Sequence, residues 1–390
     1  MMDRLVFGRI AVVLFLALAA CSPKKKNEGK TEDIKTETAT AGDSLSVRYA
    51  KRFELGAHKG CVRLTITAGD GQDVVSKSYL LVNRGEKAPV HPADWTLVNV
   101  PVRSVVTQSS EYIGGANILG DVGRIKGVSL PKYVYSEAIH KKIEAGEVLA
   151  VGEGTSTDME KILAMKSDLL WVSGMPGSGN SSFGVLEQSG TVIMYGMNWM
   201  ETDALGSAEW IKVIGALNGK LAEASKYFDK VSEKYAEVKR KVSQSDKKPV
   251  TIAGLPFKGT WYMPAGQSFR AKMFADAGFS YPWASKPGTG SLPLDIETVF
   301  PKALTATYWL NVGSMTDLKT LKGLDSRYAE FGPVTLGNVY NNNARTNRVG
   351  ANDFWESGTF RPDVVLEDLA TISHPDLFPA HKLYYYRKLK

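Results

Sequence analysis

Residues 221–242 read LAEASKYFDKVSEKYAEVKRKV, and the fold turns on them. Apolar side chains recur at Leu221, Ala224, Tyr227 and Phe228, Val231, Tyr235, Val238 and Val242, the three-and-four spacing of one helix face, with Lys, Glu, Asp and Arg between them. The spacing predicts a single long amphipathic helix. At about 1.5 Å per residue it reaches roughly 33 Å, enough to cross from one compact lobe to another. A surface helix of one large domain would show the same face, so the choice rests on the flanks. Both carry short apolar runs alternating with helical stretches, and the expectation is two lobes joined by a rigid connector.

Upstream, residues 45–204 make the first lobe. Apolar runs at Val62–Thr67, Tyr79–Val82, Leu97–Val100, Ser104–Thr107, Leu149–Val151, Leu169–Val172 and Val192–Tyr195 read as strands, with helices at Ser109–Leu119 and Ser136–Ala145. The order begins β-rich and becomes βαβ-like, which predicts a mostly parallel sheet covered by helices and a ligand at the carboxyl ends of its strands. Residues 205–247 form the connector, with a first helix ended by Asn218-Gly219. Residues 248–390 form the second lobe, opening on a strand at Val250–Leu255 and ending on a helix that Pro362 starts and His374 closes. The predicted fold class is α/β: two Rossmann-like lobes with mostly parallel central sheets, bridged by one long helix.

The N-terminus carries Arg4 and Arg9, an apolar run from Ile10 to Leu18, and then Leu18-Ala19-Ala20-Cys21. That run is too short for a permanent span and reads as a cleaved export signal, residues 1–20. The tetrapeptide resembles a bacterial lipobox, which implies that Cys21 is lipidated and anchors the protein to a membrane. Residues 21–44 offer almost nothing to bury and read as a disordered tether. In the lipoproteins that this start resembles, acidic residues just after the cysteine mark export to the cell surface. Ser22-Pro23-Lys24-Lys25-Lys26 has none, which by that resemblance favours a protein facing the periplasm, with a surface-exposed capture lipoprotein as the alternative.

The 390 residues contain only two cysteines, so Cys61 has no partner but Cys21 and is expected to be a small buried hydrophobe. The net charge is +7, of which residues 1–44 carry +1. A mildly basic body with scattered charge and no nucleic-acid motif points to solubility and an anionic ligand rather than DNA or RNA. Five histidines, His58, His91, His140, His374 and His381, stand at no metal-ligand spacing, and no phosphate-binding loop or nucleophile elbow is present. The run Gly174-Met175-Pro176-Gly177-Ser178-Gly179 lacks the order of a dinucleotide fingerprint. No catalytic residue, metal site or resident cofactor is assigned, and the chain is read as a non-enzyme.

Two stretches echo each other. Asp158-Met159-Glu160 opens a short helix before the strand ending Trp171-Val172, and Asp295-Ile296-Glu297 opens another before Trp309-Leu310. Each glutamate falls in a first turn, where the helix dipole favours it; a matched pair also reads as two handles on the molecule. Past Leu255 the chain is aromatic and glycine-rich, with Phe257, Trp261, Tyr262 and Trp283 expected to wall a ligand cleft or, alternatively, to plug the seam between lobes. The polar loop Asn338–Arg348 adds Tyr340, Arg345 and Arg348; its guanidiniums suit carboxylate or catecholate-type oxygens, with plain surface solvation as the other reading. Trp199 and Arg270 complete the candidate ligand-binding set.

The Asp158–Val172 segment, the Leu205–Gly219 connector with Glu209-Trp210-Ile211, the Glu297 segment and the Arg361–Pro379 tail together resemble the periplasmic substrate-binding proteins of ABC importers for iron chelates and cobalamin. The resemblance covers nearly the whole body; Ser167 replaces the family's usual proline. It implies a monomeric, membrane-anchored periplasmic binding protein that captures a siderophore, haem or cobalamin between its lobes. It would pass that ligand to a permease and its ATPase, with Glu160 and Glu297 docking on permease arginines. Cobalamin-binding relatives tend to have an aromatic six residues before each docking glutamate; here Gly154 and Ser291 stand there, which favours an iron complex.

Overall fold

The computed structural model describes residues 45–69, 74–152, 156–174 and 183–390. The leader, Cys21 and the tether lie outside these residues, as do Gly154 and all but the first residue of the glycine-rich run.

Strands β1 (Phe53–His58), β2 (Cys61–Ala68), β3 (Val75–Asn83) and β4 (Thr96–Val100) form one sheet in that order. Lys59 (φ 47°) and Gly60 (φ 83°) join β1 to β2. Two successive left-handed residues make the tight turn whose twist suits a hairpin. The first three strands are antiparallel and β4 runs parallel to β3. This sheet is the β-rich start of the lobe, and it stands apart from the parallel sheet that follows. In β2 the buried Leu64, Ile66 and Ala68 alternate with half-exposed residues, the period of a sheet covered on one face. Cys61, at the hairpin end, is half-buried rather than buried.

From Val105 onward strands and helices alternate: β5 (Val105–Thr107), α1 (Ser110–Ile118), β6 (Ile125–Val128), α2 (Glu137–Glu144), β7 (Leu149–Ala150), α3 (Met159–Met165), β8 (Leu169–Val172), α4 (Phe183–Gln188) and β9 (Val192–Tyr195). The five strands are parallel and lie in the order β7-β6-β5-β8-β9. The winding reverses between β5 and β8, which opens a crevice above their carboxyl ends.

The connector is α5 (Ala204–Glu209), α6 (Ile211–Asn218) with left-handed Gly219 (φ 73°) as its cap, and α7 (Leu221–Val242). The buried side of α7 holds Ala224, Phe228, Val231, Tyr235, Val238 and Val242, the face that the spacing predicts. At one end Phe228 meets Tyr49 edge-on at 5.9 Å. Toward the other, Tyr235 Oη donates to Asp276 Oδ2 at 2.8 Å and Lys239 pairs with the same carboxylate at 2.7 Å. One stiff helix thus touches both lobes.

The second lobe runs β10 (Thr251–Ala253), β11 (Pro256–Phe257), β12 (Thr260–Pro264), α8 (Phe269–Asp276), β13 (Ser291–Leu294), α9 (Ile296–Thr305), β14 (Tyr308–Leu310), α10 (Leu318–Leu324), α11 (Gly332–Thr335), β15 (Val339–Asn341), α12 (Pro362–Ser373) and β16 (Arg387–Lys388). Its main sheet, β10-β14-β15-β16, is parallel except for the last strand; β11-β12-β13 is a separate antiparallel sheet. Trp261, Trp309, Tyr328 and Phe331 form its core, with ring centroids 5.1–6.4 Å apart. Such contacts add about 0.5–1.5 kcal/mol per pair beyond the area they bury.

Candidate functional site

The carboxyl ends of both parallel sheets open on one cavity of 760 Å³. The first lobe lines it with Thr107 to Glu111 past β5, Val128 to Leu130 past β6, and Ser173 past β8; the second adds Gly313 and Ser314 past β14 and Asn343 past β15. This is the crevice that the strand order dictates. Tyr133, Trp199 and Trp355 contribute aromatic surface, and they are 59%, 47% and 48% exposed. The sequence marks this site only faintly, as the first polar residues after each apolar strand: Thr107-Gln108-Ser109, Ser129, Ser173 and Gly313-Ser314.

Two polar groups in the lining stand out. Ser129 Oγ is buried with no hydrogen-bond partner among the described residues. Glu111 lies in the first turn of α1 and takes hydrogen bonds from Ser109 Oγ and Thr359 Oγ1, each at 3.3 Å. Burial pushes its carboxyl above the ordinary range, and neighbouring Asn198, Ser109 and Thr359 pull it back.

One side of the cavity is closed by a clasp between segments 133–144 and 345–357. Glu356 Oε2 accepts the backbone amides of Tyr135 (2.7 Å) and Ser136 (3.3 Å). Asn347 Nδ2 donates to the carbonyls of Val134 and Tyr135, and Arg348 pairs with Glu144. The same segment presses on α1, where a Cβ at Gly114 would lie 2.0 Å from the Glu356 carbonyl oxygen. No side chain fits there.

Glu356 gives this clasp a pH dependence, because burial pushes its carboxyl from 4.5 up to about 7. Between those values the unfolded chain has released the proton that the folded chain keeps. Stability from this group is therefore complete at low pH and falls as pH rises, by up to about 3 kcal/mol. Glu356→Gln should flatten that slope in urea unfolding followed from about pH 4.5 to about pH 7.5, over the window of the shift. An unchanged slope would assign the dependence to other carboxyls.

The structure separates the aromatic and arginine residues expected at the cleft. Trp199 lines the cavity. Trp261 and Trp283 do not: Trp261 is fully buried with Nε1 donating to the Ala253 carbonyl at 2.8 Å, and Trp283 packs on Tyr281 at 5.5 Å. Their glycines belong to turns of the antiparallel sheet, Lys258-Gly259 (φ 50° and 80°) among them. Phe257 and Tyr262 are exposed on that sheet away from the lining, and Tyr340 is half-buried against Tyr308 at 6.2 Å. Arg345 is occupied: Nε binds Asp353 at 2.7 Å and the guanidinium sits 4.2 Å from the Tyr384 ring. Arg270 is exposed, pairs with no acid among the described residues, and stacks 5.1 Å over Trp355. Desolvation lowers its pKa. Trp355, Tyr133 and Glu111 are site residues that the aromatic reading missed.

Glu160 and Glu297 both stand exposed in the first turn of a helix, α3 and α9, each feeding a central strand, β8 or β14. Asp158 caps the first by accepting Lys161 N and Asp295 caps the second by accepting Thr298 N. Among the described residues neither glutamate is in an ion pair.

The chain belongs to the periplasmic binding protein family, whose model matches residues 105–325, beginning at the first residue of β5. It is 26% identical, over 98% of its length and 96% of the relative's, to an uncharacterized lipoprotein of Methanocaldococcus jannaschii. Among solved structures it resembles a periplasmic binding protein of Veillonella parvula (TM-score 0.54, 12% identity, 80% of this chain and 98% of that one). It also resembles a periplasmic heme binding protein of Pseudomonas aeruginosa (0.54, 13%, 74% and 98%) and an ABC-type Fe3+-hydroxamate transport system protein of Saccharomonospora viridis (0.52, 16%, 72% and 94%). No helix among the described residues is long and apolar enough to cross a membrane.

Proposed function

We propose that this protein captures a metal chelate, an iron complex or a cobalamin, in the cavity between its lobes and delivers it to a permease and ATPase. The observation that carries the reading is the placement of the cavity, at the carboxyl ends of strands from both sheets with Trp199 and Trp355 open to it. Among the described residues the lining offers Glu111 and Tyr133 but no histidine, cysteine or aspartate, too few ligands to fill a metal's coordination, so a metal would arrive with most of its coordination supplied by the chelator. Once the signal peptide is cleaved, a lipidated Cys21 would hold the body at the membrane, and the matched helix starts at Glu160 and Glu297 would dock it on the permease. The resemblance to the heme and Fe3+-hydroxamate proteins supports the ligand class.

Calorimetric titration of the purified protein with ferric siderophores, haemin and cobalamins tests this. One class should bind with submicromolar Kd, and Trp199→Ala or Trp355→Ala should weaken it about tenfold or more, as buried aromatic anchors do. Absence of binding by all three classes would remove the assignment.

Because α7 spans the seam unbroken, binding should produce only a small closure. Small-angle scattering should give the same radius of gyration with and without ligand. A change of several ångströms would place a hinge where the helix now stands.

A further inference from the structure

The sign of the charges around the cavity narrows its ligand. We infer that it takes a chelate without net negative charge, presenting amide, carbonyl or hydroxyl groups, and that it rejects polyanionic complexes. This rests on the solute-capture reading above.

Among the described residues no lysine, arginine or histidine lines the cavity, and Glu111 is the one acid that does. Arg270 and Lys132 stand outside the lining: they pair with no acid among the described residues, and each is held over a lining ring, Arg270 at 5.1 Å from Trp355 and Lys132 at 4.9 Å from Tyr133. Arg345 pairs with Asp353 at 2.7 Å, and Arg348 with Glu144 and Glu137 on the far side of the clasp. A polyanion entering this space would shed hydration with no countercharge in contact and would meet a carboxyl on the wall.

What the wall does offer is neutral. Ser129 Oγ is buried and unpartnered, so a ligand carbonyl or hydroxyl placed beside it completes a hydrogen bond that is otherwise missing. Ser173 and Ser314 add hydroxyls from opposite lobes, and the exposed rings of Trp199 and Trp355 offer apolar faces. Such a lining suits a solute that is polar in its groups but uncharged overall.

Simple chemistry supplies a charge series. Three hydroxamates, each singly negative, neutralise Fe3+; three catecholates, each doubly negative, leave a trianion; cyanocobalamin is an uncharged corrinoid. Calorimetric titration of the full-length protein with these three, at about 0.05 M and about 0.5 M salt, separates charge from other features because salt screens only charged contacts. The expected result is that at least one uncharged complex binds about 100-fold or more tighter than the trianion, with a Kd that salt moves less than about twofold. Which of the two binds tells an iron source from a corrinoid source. Ser129→Ala should weaken that complex by about tenfold, the effect of leaving its group unpaired, while an unchanged Kd would exclude Ser129 from the contact and count against the inference. Tighter binding of the trianion, or an affinity for it that falls steeply with salt, would overturn the inference and leave solute capture standing. No binding by any of the three, with haemin also silent, would overturn both.

Discussion

Glu209→Ala is expected to destabilise the folded body by about 3–5 kcal/mol, the range for removing one partner of a buried ion pair. Glu209 and Lys212 are both fully enclosed, and Lys212 Nζ lies 2.8 Å from Glu209 Oε1. The same carboxylate accepts the backbone amides of Arg48 (3.0 Å), Tyr49 (2.7 Å) and Ala50 (3.0 Å). One residue group further on, Glu201 accepts Lys51 N and Arg52 N at 2.9 and 3.0 Å together with Trp210 Nε1 at 3.0 Å. Two carboxylates, Glu201 just before the connector and Glu209 within it, therefore hold five consecutive backbone amides of the entering chain. Alanine at 209 leaves three amides without an acceptor and the buried Lys212 ammonium with only the Ser46 carbonyl, 2.6 Å away, and no countercharge. Urea unfolding of Glu209→Ala and Glu209→Gln measures the effect; glutamine, which keeps the shape and one acceptor oxygen, should cost less. A loss below about 1 kcal/mol in the alanine variant would mean that water replaces the carboxylate at little cost.

Replacing Glu160 and Glu297 together by alanine is expected to abolish ligand uptake while leaving ligand affinity within about twofold. Both side chains project from capped helix starts, outside the cavity lining, so their removal takes away charge without disturbing the cleft. If each docks on a permease cation, each truncation costs about 2–5 kcal/mol of the complex. Single variants should then fall by about 30-fold or more, and the double variant to background. Transport by the reconstituted importer, alongside calorimetry on the isolated protein, separates the two roles. Normal uptake by the double variant would end the docking assignment, and loss of ligand affinity would move these residues into the binding site.

Elements stabilised within themselves were legible in the sequence. Helix α7 repeats its apolar spacing over six turns, and that repeat alone sets its buried face. The Asp158 and Asp295 caps lie within three residues of the amides they bind, so short-range pattern reveals them. The cavity is different in kind. Thr107, Ser129, Ser173 and Ser314 come from four strand ends in two sheets, and nothing local marks them as neighbours. Aromatic content near glycine misled for a related reason: Trp261 alternates with Tyr262 on β12, and the strand's inner face buries the first while exposing the second. Which face is inner depends on Trp309, Tyr328 and Phe331, far along the chain. The β1–β4 sheet escaped full recognition because the alternation in β2 shows which face is covered but not which strands will pair.

The distribution of the eight tryptophans carries an optical consequence. Trp171, Trp210, Trp261, Trp283 and Trp309 are buried and Trp95 is half-buried, whereas Trp199 and Trp355 stand open in the cavity. Indoles in an apolar interior emit toward the blue and solvated ones toward the red, so the emission band is a composite with separable halves. Excitation at the long-wavelength edge selects the cavity pair. Ligand entry should extinguish or blue-shift that component while the short-wavelength component stays fixed, giving the protein an internal standard against which occupancy can be read without a label.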